Sequence, residues 1–244
     1  MGRALAIGLA EAGCDVMVHY HRSAEAAEET ADDIRALGRD AATTSTDLSD
    51  PPAIDALFDA LDGRFGRLDV LVNSAASFER RPIEQITAAE WDAVHALNLR
   101  APFLSSQRAA ERMRASDRRG GRSDGGAPGV IINLADPSGV STWRGFAHHG
   151  VSKAGLLHLT RVTARELAPD VRVNSIVPGP ILTPPGESTE SGSWREKGRR
   201  VPLARVGEPA EIAQTAVFLA RNDYVTGATI FVDGGEHLLP GGRD

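Results

Sequence analysis

The feature that most constrains this chain is a repeated alternation of short apolar runs with longer amphipathic stretches. Apolar runs fall at residues 15–21, 41–46, 68–73, 130–134, 171–177 and 229–232. Helical periodicity fills 2–12, 23–37, about 50–65, 87–114, 147–167 and 209–220. A helix between successive strands is too long for a hairpin and calls for parallel crossovers. Most of the runs carry apolar residues at both odd and even positions, so both faces of the sheet are expected to be covered by helices. The expected fold is therefore α/β: a doubly wound parallel sheet in a three-layer α/β/α stack, as a single domain over residues 1–244. Ligands of such sheets sit at the carboxyl ends of the strands. Those ends here are His21-Arg22-Ser23, Asp47-Leu48, Asn73 to Ser77, Ala135-Asp136 and Pro178-Gly179-Pro180.

Local signals sharpen the boundaries. Ser23 is placed as the N-cap of the second helix, Pro51 in a first turn, and Thr87 with Glu90 as a capping box. Residues 118–129 (RRGGRSDGGAPG) read as a flexible surface loop, and 184–200 as a loop-rich excursion with one short helix. A formal charge of −6 argues against a nucleic-acid partner, and no run reaches the length of a membrane span. One cysteine, Cys14, excludes a disulfide framework and a multi-cysteine metal site; a cytoplasmic protein with no metal is expected. Among 27 Lys and Arg only two are lysines, Lys153 and Lys197, so the position of each carries information.

Five features, in order along the chain, resemble the short-chain dehydrogenase/reductase family: Asp47-Leu48, the turn Asn73-Ser-Ala75-Ala76, Asn98, Lys153, and the loop Pro178-Gly179-Pro180 running into Ile181. The resemblance implies a Rossmann-like fold, a nicotinamide dinucleotide, a small-molecule substrate and a homo-oligomer, a tetramer in many members. It implies that Asp47 and Leu48 contact adenine, that Lys153 binds the nicotinamide ribose, and that Asn98 holds a water on a proton path. Within the family, His19 to Ser23, Ala76 to Phe78, Pro184-Pro185 and Asp136, 13 residues before His149, are similar to the pteridine reductase group. Phe78 could then stack on a flat heterocycle, and Asp136 orient it.

Arg22 stands where NAD-specific folds carry an acidic residue for the ribose 2′-hydroxyl. With His21, Ser23 and a helix N-terminus beside it, Arg22 points to a 2′-phosphate and hence to NADP(H).

Three departures separate the chain from the family pattern. Of the Gly-rich phosphate loop only the last glycine is matched, by Gly2, and the first strand is missing. The position four before Lys153 is His149 where the family has Tyr. The turn carries Ser74 and Ala76 in place of Asn and Gly. A lysine charge makes a tyrosine a better acid but drives a histidine towards neutral, so altered or weakened acid catalysis is expected.

The leading reading is an NADPH-dependent reductase of a small carbonyl or C=N compound, with a pterin-like substrate or, alternatively, a sugar, steroid or acyl-thioester ketone. The other is a catalytically inactive dinucleotide-binding or assembly protein on the same fold. The missing strand also carries an expectation: that the natural product starts 15–20 residues before Met1, with an apolar strand and a Thr-Gly-rich turn.

Overall fold

Two parallel sheets form the centre of the computed structural model, which describes residues 1–120, 129–183, 188 and 191–239, with the side chains of 116–120 outside that description. The chain runs α1 (Gly2–Glu11), β1 (Val16–Tyr20), α2 (Ala24–Ala36), β2 (Ala41–Ser45), α3 (Pro51–Phe65) and β3 (Val70–Asn73). It continues through α4 (Ala88–His95), a π turn (Ala96–Arg100), α5 (Ala101–Gly120), β4 (Gly129–Leu134), α6 (Ala147–Leu167) and β5 (Val171–Pro178). Then come α7 (Gly192–Arg200), α8 (Pro209–Arg221) and β6 (Thr229–Val232). β1 pairs with β2, and β3, β4, β5 and β6 pair in that order, every pairing parallel.

Side-chain alternation builds one core on each face. From β4, Ile131 packs with Ile54, Phe58 and Met113 beneath α3 and α5. Its neighbours Val130, Ile132 and Leu134 point the other way, onto Leu5 of α1 and Ile212, Ala216 and Leu219 of α8. Helix α1 lies close along α8 because Gly8 has no side chain: a Cβ there would come 2.8 Å from that of Ala213. A smaller cluster joins Ala10, Ala31, Ile34 and Ala41 on the α1–α2 side.

The sheet is interrupted. Every residue of β4 and β5 is buried, whereas every residue of β1 and β3 is only half-buried. Between β1 and β3 lies a cavity of about 890 Å³.

The capping box at Thr87 and Glu90 forms as expected. Ser23 differs: it occupies the N-cap position of α2 but its side chain makes no cap bond. The single helix expected from Thr87 is broken by the π turn, which carries Asn98. The loop expected at 118–129 is shorter at both ends, since residues 118–120 finish α5 and Gly129 opens β4, while 121–128 lie outside the described residues. The start of the 184–200 excursion also lies partly outside them; the short helix expected there is α7.

Candidate active site

A ladder of amides aligns the strand ends with α6. Asn73 Nδ2 donates to Asn133 Oδ1 at 2.8 Å, and Asn133 Nδ2 donates to the Thr160 hydroxyl at 2.9 Å. Asn133 and Thr160 went unremarked in the sequence, where a polar residue in an apolar strand was the available signal. The ladder ties the end of β3 through β4 to the middle of α6.

The turn after β3 is clamped by Asn98. The π turn inserts an extra residue into the helix and brings the Asn98 side chain inside, 1% exposed. Its Oδ1 accepts from the Ser77 N–H at 2.8 Å, and its Nδ2 donates to the Ser77 carbonyl at 3.1 Å and the Ser152 hydroxyl at 3.1 Å. Its amide is therefore engaged by protein groups; the clamp itself rests on Ser77 and Ser152, which the sequence reading did not single out.

His149 sits in the first turn of α6. Its Nδ1 lies 3.0 Å from the Ser77 carbonyl oxygen, and because a carbonyl can only accept, Nδ1 carries the hydrogen. Nε2 is then the atom free to take or give a proton. It is buried, has no hydrogen-bond partner among the described residues, and faces Asp136 Oδ1 at 3.6 Å, an electrostatic contact too long for a hydrogen bond. Asp136 meanwhile accepts from the Ser138 N–H at 2.7 Å, capping the turn Pro137–Gly139. Burial pushes the Asp136 carboxyl up, but His149 and Ser138 outweigh it and hold it below its ordinary value.

Lys153 is four residues further along α6 and 4% exposed. Its Nζ donates to the Leu134 carbonyl at 2.8 Å. Burial lowers its pKa from 10.5 to about 8, with Asp136 pulling the other way. This corrects the expected electrostatics, because the charged group beside His149 is the Asp136 carboxylate, while the Lys153 ammonium turns to a backbone carbonyl. The reason is packing: Lys153 lies against the end of β4, and Asp136 acts on both Lys153 and His149.

Phe78 follows the clamped turn and is no core residue. It is 56% exposed, stacks on Phe146 at 4.7 Å between centroids, and meets the His149 ring edge-on at 4.8 Å. Trp143 closes this aromatic group at 6.4 Å from Phe78. Phe146 and Trp143 went unnoticed in the sequence because they lie in a loop far from Phe78 along the chain.

The remaining candidates line the other strand ends. His21, Arg22 and Ser23 are exposed after β1, and both His21 and Arg22 act on Asp47, whose pKa is lowered chiefly by the Ser49 hydroxyl. Gly2 opens α1, and a Cβ on it would meet only Ser74 Oγ, at 4.0 Å. Ala75 is exposed beyond the end of β3. Pro178 closes β5, and Gly179 donates its N–H to Val232 O at 3.0 Å. A Cβ on Gly179 would lie 2.5 Å from Asp233 Cα, so only glycine fits there. Two cofactor candidates prove partly structural: Leu48 packs under α3 and Ile181 joins the α8 core. The set still suits a dinucleotide, with exposed cations and α2 N–H groups that no side chain caps at one end and, at the other, a buried His149 Nε2 with no hydrogen-bond partner among the described residues.

A parallel α/β fold with polar groups gathered at its strand ends is an architecture that many nucleotide-binding proteins share, and the comparisons identify the family. A family profile described as Enoyl-(Acyl carrier protein) reductase matches residues 1–237. The chain is 36% identical to 3beta-hydroxysteroid dehydrogenase 1 of Eggerthella lenta, over 99% of this chain and 91% of that protein. It is 34% identical to the 3-oxoacyl-acyl-carrier-protein reductase FabG of Staphylococcus aureus, over 98% and 94%. Among solved structures, acetoin dehydrogenase from Enterobacter cloacae superposes with a TM-score of 0.84 at 32% identity, over 99% and 93%. A blue fluorescent protein from a metagenomic library, in complex with NADPH, gives 0.81 at 29% identity, over 96% and 92%. The chain belongs to the short-chain dehydrogenase/reductase family of oxidoreductases.

Proposed function

We propose that this chain is an NADPH-dependent reductase of a carbonyl or C=N bond in a small planar substrate, pterin-like in ring character, with His149 moving the proton. The observation that carries the reading is His149: its Nε2 is buried, without a hydrogen-bond partner among the described residues and beside Asp136, and its ring meets the exposed ring of Phe78 edge-on. Arg22, His21 and Ser23 would hold the 2′-phosphate, with Asp47 and Leu48 on the adenine side. Gly2, Asn73, Ala75, Lys153, Pro178, Gly179 and Ile181 would hold the rest of the dinucleotide. NADPH supplies the hydride chemistry when bound.

The chain's own groups handle the proton. Ser77 holds the Nδ1–H, so the exchangeable proton sits on Nε2, and the Asp136 carboxylate faces the N–H that Nε2 gains. Asn98 keeps the Ser77 carbonyl in place for that contact. Phe78 and Phe146 present an aromatic face on which a flat ring can stack. Exposed Phe103, Val151 and Val162 on α5 and α6 suit contact with a second copy, in keeping with a homo-oligomer.

The test is NADPH oxidation followed with a panel of pterins, steroid ketones and acyl-thioester ketones. His149→Ala should lower turnover by about two to four orders of magnitude with NADPH binding unchanged. Arg22→Ala should weaken NADPH binding by about 1.5–3 kcal/mol and leave NADH untouched. NADPH that binds tightly yet is oxidised by no compound of the panel would instead establish the non-catalytic dinucleotide-binding reading.

A further inference from the structure

A second histidine–carboxylate contact lies just past β6. Two consecutive glycines with positive φ, Gly234 at 62° and Gly235 at 89°, turn the backbone sharply after Asp233. The turn runs into a short 3-10 segment, Glu236–Leu238, that carries His237. Asp233 is 4% exposed, and its carboxylate closes the turn from inside. Its Oδ1 accepts from the Gly235 N–H at 2.9 Å. Its Oδ2 accepts from the His237 N–H at 2.8 Å and lies 2.7 Å from His237 Nδ1. An ionised carboxylate only accepts, so Nδ1 carries the hydrogen. Among the described residues, His237 is the one whose side chain bonds this carboxylate.

The turn belongs to a closed frame around the loop after β5. Gly179 donates its N–H to the Val232 carbonyl, and the two backbones touch so closely that a Cβ on Gly179 would lie 2.5 Å from Asp233 Cα. The next residue, Pro180, accepts from the Gly207 N–H at 3.0 Å. The segment leading to Gly207 is bonded in turn to the glycine pair, the Leu203 N–H donating to Gly234 O at 3.1 Å. Each of the three segments thus holds the other two, and a shift of the glycine turn is felt at Gly179. The His237 ring adds a second hold by stacking on Phe231, 4.1 Å between centroids with the planes 22° apart. Phe231 packs against Ala135, Leu157 and Val177, and Ala135 and Val177 directly precede Asp136 and Pro178.

We propose that His237, acting through the Asp233 carboxylate, is a positioning residue for the nicotinamide half of the dinucleotide. Its Nδ1–H locks the Gly234-Gly235 turn, and the locked turn sets where Pro178, Gly179 and Pro180 stand. The inference rests on the reading that this loop holds the dinucleotide. The adenosine half lies outside the frame's reach: β6 is the far edge of its sheet from β3, whereas Arg22 and Asp47 follow β1 and β2 in the other sheet.

The experiment measures, on the whole chain, the Kd of NADPH and of adenosine 2′,5′-bisphosphate, a probe of the adenosine half alone. His237→Phe keeps a ring on Phe231 but has no hydrogen for Asp233, whereas His237→Asn keeps a donor in the place of Nδ1. The Phe variant should bind NADPH about tenfold more weakly, the worth of one charge-assisted hydrogen bond, and the bisphosphate within about twofold of the parent. The Asn variant should recover NADPH binding to within about threefold. Without ligand, hydrogen exchange at the Gly179 and Leu203 amides should quicken about tenfold in the Phe variant. Should that variant not fold, His237→Leu, which also lacks the donor, takes its place. Unchanged NADPH binding, equal weakening of both ligands, or no recovery with Asn overturns the proposal and leaves the cofactor reading standing. A parent protein that binds neither ligand overturns the cofactor reading, and the proposal with it.

Discussion

Replacing Lys153 by methionine should stabilise the cofactor-free protein at neutral pH and remove most of its gain in stability towards alkaline pH. Burial lowers the Lys153 pKa from 10.5 to about 8. Each pKa unit is worth about 1.4 kcal/mol, so keeping the ammonium charged costs the native chain about 3 kcal/mol. The sign follows from proton linkage. Between pH 8 and pH 10.5 the unfolded chain holds a proton on Lys153 that the folded chain has released, so stability rises with pH across that window. Below it both states are charged and the cost is felt in full; above it both are neutral and the cost is gone. Methionine fills nearly the same volume without charge but leaves the Leu134 carbonyl without its 2.8 Å donor, a loss of about 1–2 kcal/mol. Lys153→Met should therefore gain about 1–2 kcal/mol at pH 7 and fall below the parent by up to about 1 kcal/mol near pH 10, where most of the charge cost has gone. Urea unfolding at pH 7, 8.5 and 10, without cofactor, reads this directly, and taking the difference between the proteins cancels groups common to both. Parallel stability curves for the two proteins would refute the assignment of that slope to Lys153.

Asn98→Asp should be more damaging than its size suggests. The carboxylate cannot donate to the Ser77 carbonyl or the Ser152 hydroxyl, and it is charged where the native side chain is 1% exposed; a loss of about 3 kcal/mol in thermal or urea unfolding is expected. Gly139→Ala should cost about 1–3 kcal/mol, because its Cβ would come 2.9 Å from the Lys153 carbonyl carbon, and turnover should fall with stability as the Asp136 turn is pushed off α6.

Much of the fold could be read from periodicity because its signals are local. The helix expected at 147–167 spans the observed α6, and the strand at 229–232 is β6. The strand limits were less legible. The runs at 15–21 and 68–73 shrink to Val16–Tyr20 and Val70–Asn73, since a strand ends where pairing ends rather than where apolar residues do. In the candidate site, the spacing of Asp136, His149 and Lys153 placed all three at the ends of β4 and α6. Which of them would face each other was not legible, because residues four apart on a helix share a side without being obliged to touch.

The sequence by itself determined the parallel α/β architecture, the order of its elements and the family, because apolar periodicity and motif order survive in one dimension. Only the tertiary structure decided that Ser77 holds Nδ1 of His149, that Asp136 rather than Lys153 is the charge beside it, and that Phe146 backs Phe78. It also decided that Leu48 and Ile181 pack into the cores, and that β1 and β3 face each other across a slot. These contacts join residues far apart in the chain, and their distances follow from how helices pack across a sheet, which local propensity does not encode.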